Sequence, residues 1–344
     1  ESIVLEKGFE INFPESVEKE ANEIEKNKDS DIAKEIHKRT DFRHTLTFTI
    51  DPFDAKDFDD AISIKDLKNG NYEIGVHIAD VSHYVEIGSA LDTEALKRGC
   101  SIYLVDRTIP MLPEVLSNDV CSLNPHEDKL TFSAWFVMND KGEVLERHFG
   151  KTIINSDHRF TYEDAQEVLN VKSGKYFHEL NKLNEIAKVL QKQKFDNGAI
   201  EFEQEEIKFK LDENGKPIGV YKKARLDTHK LVEEYMLLAN REVAKFIFDA
   251  IKERGKRDTG SIYRIHDIPD QERMADLAVF VKALGYDLKN KDGKVTAKDI
   301  KSLLRQIQGT QHEALISTAL IRSMQKAVYS TKNIGHFGLA FDFY

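Results

Sequence analysis

Cysteine is nearly absent: only Cys100 and Cys121 occur in 344 residues. Two thiols exclude a disulfide framework and a cysteine-built zinc site, and they fit a reducing, cytoplasmic setting. Each reads as a small core residue, not a nucleophile. Long apolar runs are also missing. The stretch from Ala244 to Ile251 is broken by Lys245 and Asp249. Nothing approaches the roughly 20 apolar residues of a membrane span, so no membrane partner is expected. The opening residues Glu1-Ser2-Ile3-Val4-Leu5-Glu6-Lys7 lack the features of a secretory signal. Positive charge is in deficit, with a net charge of -10. This argues against a protein that coats nucleic acid through general basicity, but it leaves room for a local basic channel. The chain starts without Met and stops after an apolar, glycine-containing segment, which reads as a piece of a longer polypeptide.

What is present changes texture near residue 40. Residues 14–39 are rich in Glu and Lys with sparse apolar positions, and Asp29-Ser30-Asp31 reads as a helix start between two short surface helices. Residues 1–40 are therefore expected to be a helical connector. Leu46 to Ile50 is expected as a strand, followed by Ala61 to Ile64 and Tyr72 to Ala79 around an Asn69-Gly70 turn. Residues 89–99 suit a short helix. Thr131 to Met138 and Val144 to Asn155 suit paired strands. Helices are expected at 178–197, 226–254, 270–285, 297–308 and 311–329, and further strands at 202–211, 218–222, 262–266 and near 337–341. Interleaved strands and helices without a repeating βαβ period predict an α+β fold, with residues 41–344 as one domain.

The densest chemistry is Asp51-Pro52-Phe53-Asp54-Ala55-Lys56-Asp57-Phe58-Asp59-Asp60. Two carboxylates 4 Å apart repel by roughly 4 kcal/mol at an effective dielectric near 20. Bringing several together needs protons or a cation. Oxygen ligands without nearby cysteine favour Mg²⁺, with Mn²⁺ as a substitute. An extended chain would hold Asp51 and Asp57 about 20 Å apart, so the segment must curl back. A solvated acidic turn is the bland alternative, but it leaves Phe53 and Phe58 without a purpose. A calcium loop fails because Ile62 and Lys68 stand where its glycine and closing glutamate belong.

Other segments join this run in order: Val76-His77-Ile78-Ala79-Asp80-Val81-Ser82, Arg98-Gly99-Cys100-Ser101-Ile102-Tyr103, Ile109-Pro110-Met111-Leu112-Pro113, Cys121-Ser122-Leu123-Asn124-Pro125 and Gly335-His336-Phe337-Gly338-Leu339-Ala340. Over residues 41–344 the set resembles the RNB catalytic domain of the ribonuclease II / ribonuclease R family, closer to ribonuclease R. The resemblance implies one large domain with a mixed or antiparallel sheet flanked by helices. It also implies a 3′-to-5′ exoribonuclease that releases 5′-nucleoside monophosphates and takes the 3′ end of single-stranded RNA as partner, acting as a monomer. By position, Asp51, Asp57 and Asp60 match metal ligands and Asp59 a further essential carboxylate; Asp54 matches nothing. Tyr103 and Phe202 match a base-stacking clamp, Tyr162 an RNA contact further out, and Glu233 a ribose-hydroxyl acceptor. On the residues alone, core packing is the stronger reading of all three aromatics. Motif position reverses it for Tyr103 and Phe202 and only softens it for Tyr162. Glu233 reads equally as an exposed helix residue. His77, His83, His266 and His336 read as structural or substrate-contacting.

The chain departs from the family in two ways. The OB domains that flank the catalytic domain are not in it, and it ends just before the place of a Thr-Ser-Pro-Ile-Arg-Arg-Tyr-like motif, whose arginine the resemblance implies as a stabiliser of phosphoryl charge. The domain is thus expected to be incomplete at its C-terminal end, and a catalytically impaired RNA-binding fragment is the competing reading. A phosphoesterase acting on small esters is a third.

Overall fold

The computed structural model describes residues 6–105, 107–201, 206–213, 216–255, 260–289 and 295–344. Two compact units share the chain, Glu1–Ile186 with Glu205–Tyr235, and Ala187–Gln204 with Met236–Tyr344.

In the first unit, helix α1 spans Glu15–Glu35. It is continuous through Asp29-Ser30-Asp31, where two helices were expected. Asp and Ser in a helix interior lose only a fraction of a kcal/mol each. Offsetting contacts come from Lys34 to Asp31 at 2.9 Å and from Lys28 to Asp119 at 2.7 Å. Nor is α1 a bare connector, because Val17 and Ala21 are buried with Leu91, Leu116, Val120 and Leu123 in one apolar cluster.

Strands β1 (Thr40–Asp41), β2 (Thr47–Asp51), β3 (Asp60–Asp66) and β4 (Asn71–Ala79) come next. Helices α2 (Val81–Tyr84) and α3 (Ala90–Arg98) then precede a small ribbon of β5 (Ile102–Tyr103) and β6 (Thr108–Ile109). A π-helical turn at Val115–Val120 leads to β7 (Asp128–Asn139), β8 (Val144–Asn155) and β9 (His158–Thr161). Seven strands form one sheet in the order β1-β8-β7-β4-β3-β2-β9. The β1–β8 and β2–β9 pairs are parallel and the rest antiparallel. This is the mixed sheet of an α+β fold. Strand β2 lies inside it and is buried along its whole length, as its β-branched and aromatic residues favour.

One face of the sheet carries a buried polar ladder. His77 contacts Ser133 Oγ through Nδ1 (2.7 Å) and Ser63 Oγ through Nε2 (2.8 Å), and Thr131 reaches Thr152 at 2.6 Å. Burial pushes the His77 imidazole down to about 3, so it stays neutral and structural. Gly75 beside it is required, since a Cβ there would stand 2.4 Å from Ser63 Oγ.

Helix α4 (Tyr162–Val171) follows β9 directly, and α5 (Phe177–Asp196) runs on into the second unit. The chain returns through the hairpin β10 (Glu206–Leu211) and β11 (Pro217–Lys223), then leaves along α6 (Asp227–Glu253). In the second unit, β12 (Tyr263–Ile265) precedes helices α7 (Gln271–Ala283), α8 (Ala297–Ile307) and α9 (Glu313–Ser323). Their core holds Met274, Leu277, Val281, Ile300, Leu303, Ile316 and Leu320. The last helix is shorter than expected, because β13 (Val328–Ser330) pairs with β12. Residues expected as a strand near 337–341 form a 3₁₀ turn at Phe337–Leu339. Gly335 enters it at φ +80°. The backbone N–H groups of Gly338 and Leu339 donate to Nδ1 of His266 (3.0 Å) and of His336 (3.2 Å). Those two imidazoles fasten the segment in place.

Candidate active site

Strand β2 ends on Asp51 and its antiparallel neighbour β3 begins on Asp60. Residues 52–59 must therefore fold back on themselves. Ala55 N–H closes a turn onto the Pro52 carbonyl at 3.1 Å. Arg159, from β9, donates to the carbonyls of Pro52 and Phe53, the latter at 3.0 Å, and lies 5.4 Å from the centre of the Phe58 ring. Ser122 completes the fold: its hydroxyl accepts from Phe58 N–H and donates to the Lys56 carbonyl, both at 3.0 Å. Leu123 N–H to Phe58 O (2.9 Å) and Ala79 N–H to Asp59 O (3.0 Å) fix the last residues. The interleaved phenylalanines thus have different uses. Phe58 packs inside, and Phe53 is 82% exposed.

The curl brings the carboxylates into one field. Asp51 is buried and its Oδ2 has no hydrogen-bond partner. Burial, reinforced by the charges of Asp60 and Asp59 and opposed by the Thr49 hydroxyl and Arg159, pushes its carboxyl up to about 7. Burial and Asp59 push Asp60 up to about 6. Asp59 keeps solvent contact, yet the surrounding protein and the Asp57 charge raise it as well. Two phenols border the group. Tyr103 is raised by partial burial and by Asp57 and Asp59. Burial and the charges of Asp60 and Asp51 push Tyr162 up to about 12. The structure therefore gathers Asp51, Asp57, Asp59, Asp60, Tyr103 and Tyr162 into one neighbourhood. Tyr103 is 71% exposed at the end of β5. Tyr162 opens α4 behind the N-cap Thr161, stacked on His229 with ring centres 3.9 Å apart. Asp54 is exposed and lines a cleft beside the loop. Glu233, on α6, is engaged by Arg225. Phe202 lies outside the described residues.

The donors fit a hard divalent cation in kind: carboxylate oxygens only, mutually repelling, with one buried oxygen unpartnered. Among the described residues, no three acidic, histidine or cysteine side chains already converge as a ligand set. A cation would have to draw Asp57 and Asp60 toward Asp51.

Two residues that hold the loop escaped the sequence reading. Ser122 sits inside a recognised motif but was given no task. Arg159 stands alone in a short alternating strand, and nothing local ties it to a loop more than a hundred residues earlier. Helix α4 was not among the expected helices; its N-cap is Thr161, whose Oγ1 accepts from Asp164 N–H at 2.9 Å.

A family model, that of the RNB domain, matches residues 39–344. The chain belongs to the RNB domain family. Ribonuclease R of Thermotoga maritima is 41% identical over 334 residues, covering 95% of this chain and 46% of that protein. Ribonuclease R 1 of Lactococcus lactis is 39% identical over 316 residues, covering 90% of this chain and 38% of that protein. Among solved structures, RNase R of Mycoplasma genitalium in complex with ribose-methylated single-stranded RNA matches this RNB domain with a TM-score of 0.89 at 27% identity, over 100% of this chain and 53% of that one. The chain spans about half the length of these relatives or less.

Proposed function

We propose that this RNB domain hydrolyses RNA from its 3′ end and releases 5′-nucleoside monophosphates, with Mg²⁺ or Mn²⁺ held by Asp51, Asp57 and Asp60. The observation that supports it most is the buried, unpartnered Asp51 Oδ2 amid three further carboxylates on the loop, in a chain whose relatives are named ribonuclease R. A bound divalent ion supplies charge neutralisation at the phosphoryl and leaving oxygens. The chain's own residues do the rest. Asp59, partly open to solvent and with a raised carboxyl, holds the attacking water and takes its proton. Tyr103 stacks on a base near the scissile phosphate, and Phe202, by its motif position, is the second ring of that clamp. Glu233 accepts a ribose hydroxyl, which favours RNA over DNA.

The test is a time course of 5′-labelled unstructured RNA with Mg²⁺. The expected result is a descending ladder in the parent and none with Asp59→Asn. Salt-sensitive RNA binding without nucleotide release, even in Mn²⁺, would replace this reading with that of a catalytically impaired RNA-binding module. Hydrolysis of a generic aryl phosphate ester without RNA cleavage would replace it with a small-ester phosphoesterase.

A further inference from the structure

Beside the acidic loop lies a cleft of ≈ 240 Å³ bordered by Phe53, Tyr162, Lys208 and Tyr221, with Asp54 and Glu163 also on its wall. It is formed within the first unit. Lys208 and Tyr221 are direct cross-strand partners in the β10–β11 hairpin, so their side chains leave the same face about 5 Å apart. Tyr221 is 51% exposed and Phe53 82% exposed. Exposed rings beside a lysine, in a cleft too small for a drug-sized molecule of roughly 300 Å³ or more, are the components of a stacking site for one base of a single strand. Asp54 and Glu163 accept hydrogen bonds from hydroxyl or amino groups and repel phosphate. This orients the occupant, with the sugar or base edge toward the carboxylates and the phosphate toward Lys208.

We propose that this cleft is a nucleotide subsite, in which Tyr221 stacks one base of the RNA strand and Lys208 meets the adjoining phosphate. The inference rests on the exoribonuclease reading and adds to it a contact outside the acidic loop. Stacking is worth about tenfold in affinity for one ring, and one phosphate contact on a single strand contributes about 0.7 to the salt slope.

The experiment is equilibrium binding, in EDTA to withhold divalent cations, of 5′-fluorescent RNAs of stepwise increasing length, together with nucleotide release in Mg²⁺. Tyr221→Ala is expected to weaken binding about tenfold only for RNAs long enough to enter the cleft. Tyr221→Phe keeps parental affinity, and Lys208→Ala lowers the salt slope by about 0.7. Tyr221 is exposed, so unchanged unfolding midpoints identify the effect as local. Parental affinity of Tyr221→Ala at every length, or equal weakening by Tyr221→Ala and Tyr221→Phe, overturns the subsite while release by the parent leaves the exoribonuclease reading standing. A parent that neither binds RNA nor releases nucleotides overturns both.

Discussion

Asp51 and Asp80 are both buried at strand ends of the same sheet, and their surroundings differ in kind. Asp80 has Arg39 at 2.8 Å, Ser82 at 3.0 Å and Lys151 at 3.6 Å. Burial would raise its carboxyl, but these hydrogen bonds and charges outweigh it and hold it below the usual carboxylate range. Asp51 has a partnerless oxygen and two like charges pressing on it, with the Thr49 hydroxyl and the Arg159 charge in its favour, and burial still prevails. Asp80 Oδ2 also lacks a hydrogen-bond partner, yet it is ion-paired by Arg39 and Lys151, so a carboxylate that serves the fold is neutralised by the fold. One that serves a ligand is left incomplete, at the expense of stability.

Substitution separates the two most sharply. Asp80→Asn leaves the buried Arg39 guanidinium with Glu35, at 3.2 Å, as its remaining countercharge, and a loss of up to about 3 kcal/mol in urea unfolding is expected. Asp51→Asn is expected to go the other way: nucleotide release falls by about 10²-fold or more, while the unfolding midpoint at pH 8 without divalent ions stays level or rises. A large stability loss with Asp51→Asn would erase the contrast.

Proton linkage gives a second division. Asp51 and Asp60, pushed up to about 7 and about 6, hold protons in the folded state that the unfolded chain has released. Their contribution is complete below pH 3.8 or so and fades as pH rises through 6 to 7. Asp80, held low, contributes above that value and loses its contribution on acidification. Without divalent ions, stability is therefore expected to decline between pH 5 and 8. Mg²⁺ is expected to restore about 2–4 °C of the thermal midpoint at pH 8 and less at pH 5, where protons compete. An equal Mg²⁺ effect at both pH values, or its persistence in Asp51→Asn, would break the assignment. The smallest effect sets the baseline: removing the exposed Lys34–Asp31 pair on α1 with Lys34→Ala is expected to change stability by less than about 0.5 kcal/mol.

The fold class and most element positions were legible because hydrophobic period and turn residues are local signals. The β3–β4 hairpin around Asn69-Gly70 and the β7–β8 pair both lie close to their expected places. The misreadings share one cause. The continuity of α1, the early end of α9 and the turn at Phe337–Leu339 depend on partners far away in sequence: Asp119 for Lys28, β12 for β13, and the His266 imidazole for Gly338. The site divides the same way. The acidic run could be read directly, and its crowding followed from Coulomb's law. That Tyr103 lies by Asp57 and Asp59, and Tyr162 by Asp60 and Asp51, was not legible from composition or spacing. The resemblance supplied Tyr103 by motif position, and Tyr162 only as a contact further out.

The hydroxyl of Ser122 has a consequence for how the acidic loop can be used. It ties both Phe58 N–H and the Lys56 carbonyl from outside the loop, and Arg159 grips the other limb. The aspartate run is therefore not a portable cassette. Excised as a peptide, or grafted between two strands of another sheet, it would keep every carboxylate and lose the curvature that crowds them. The proposed cation site would therefore exist only where the tertiary structure of the unit does.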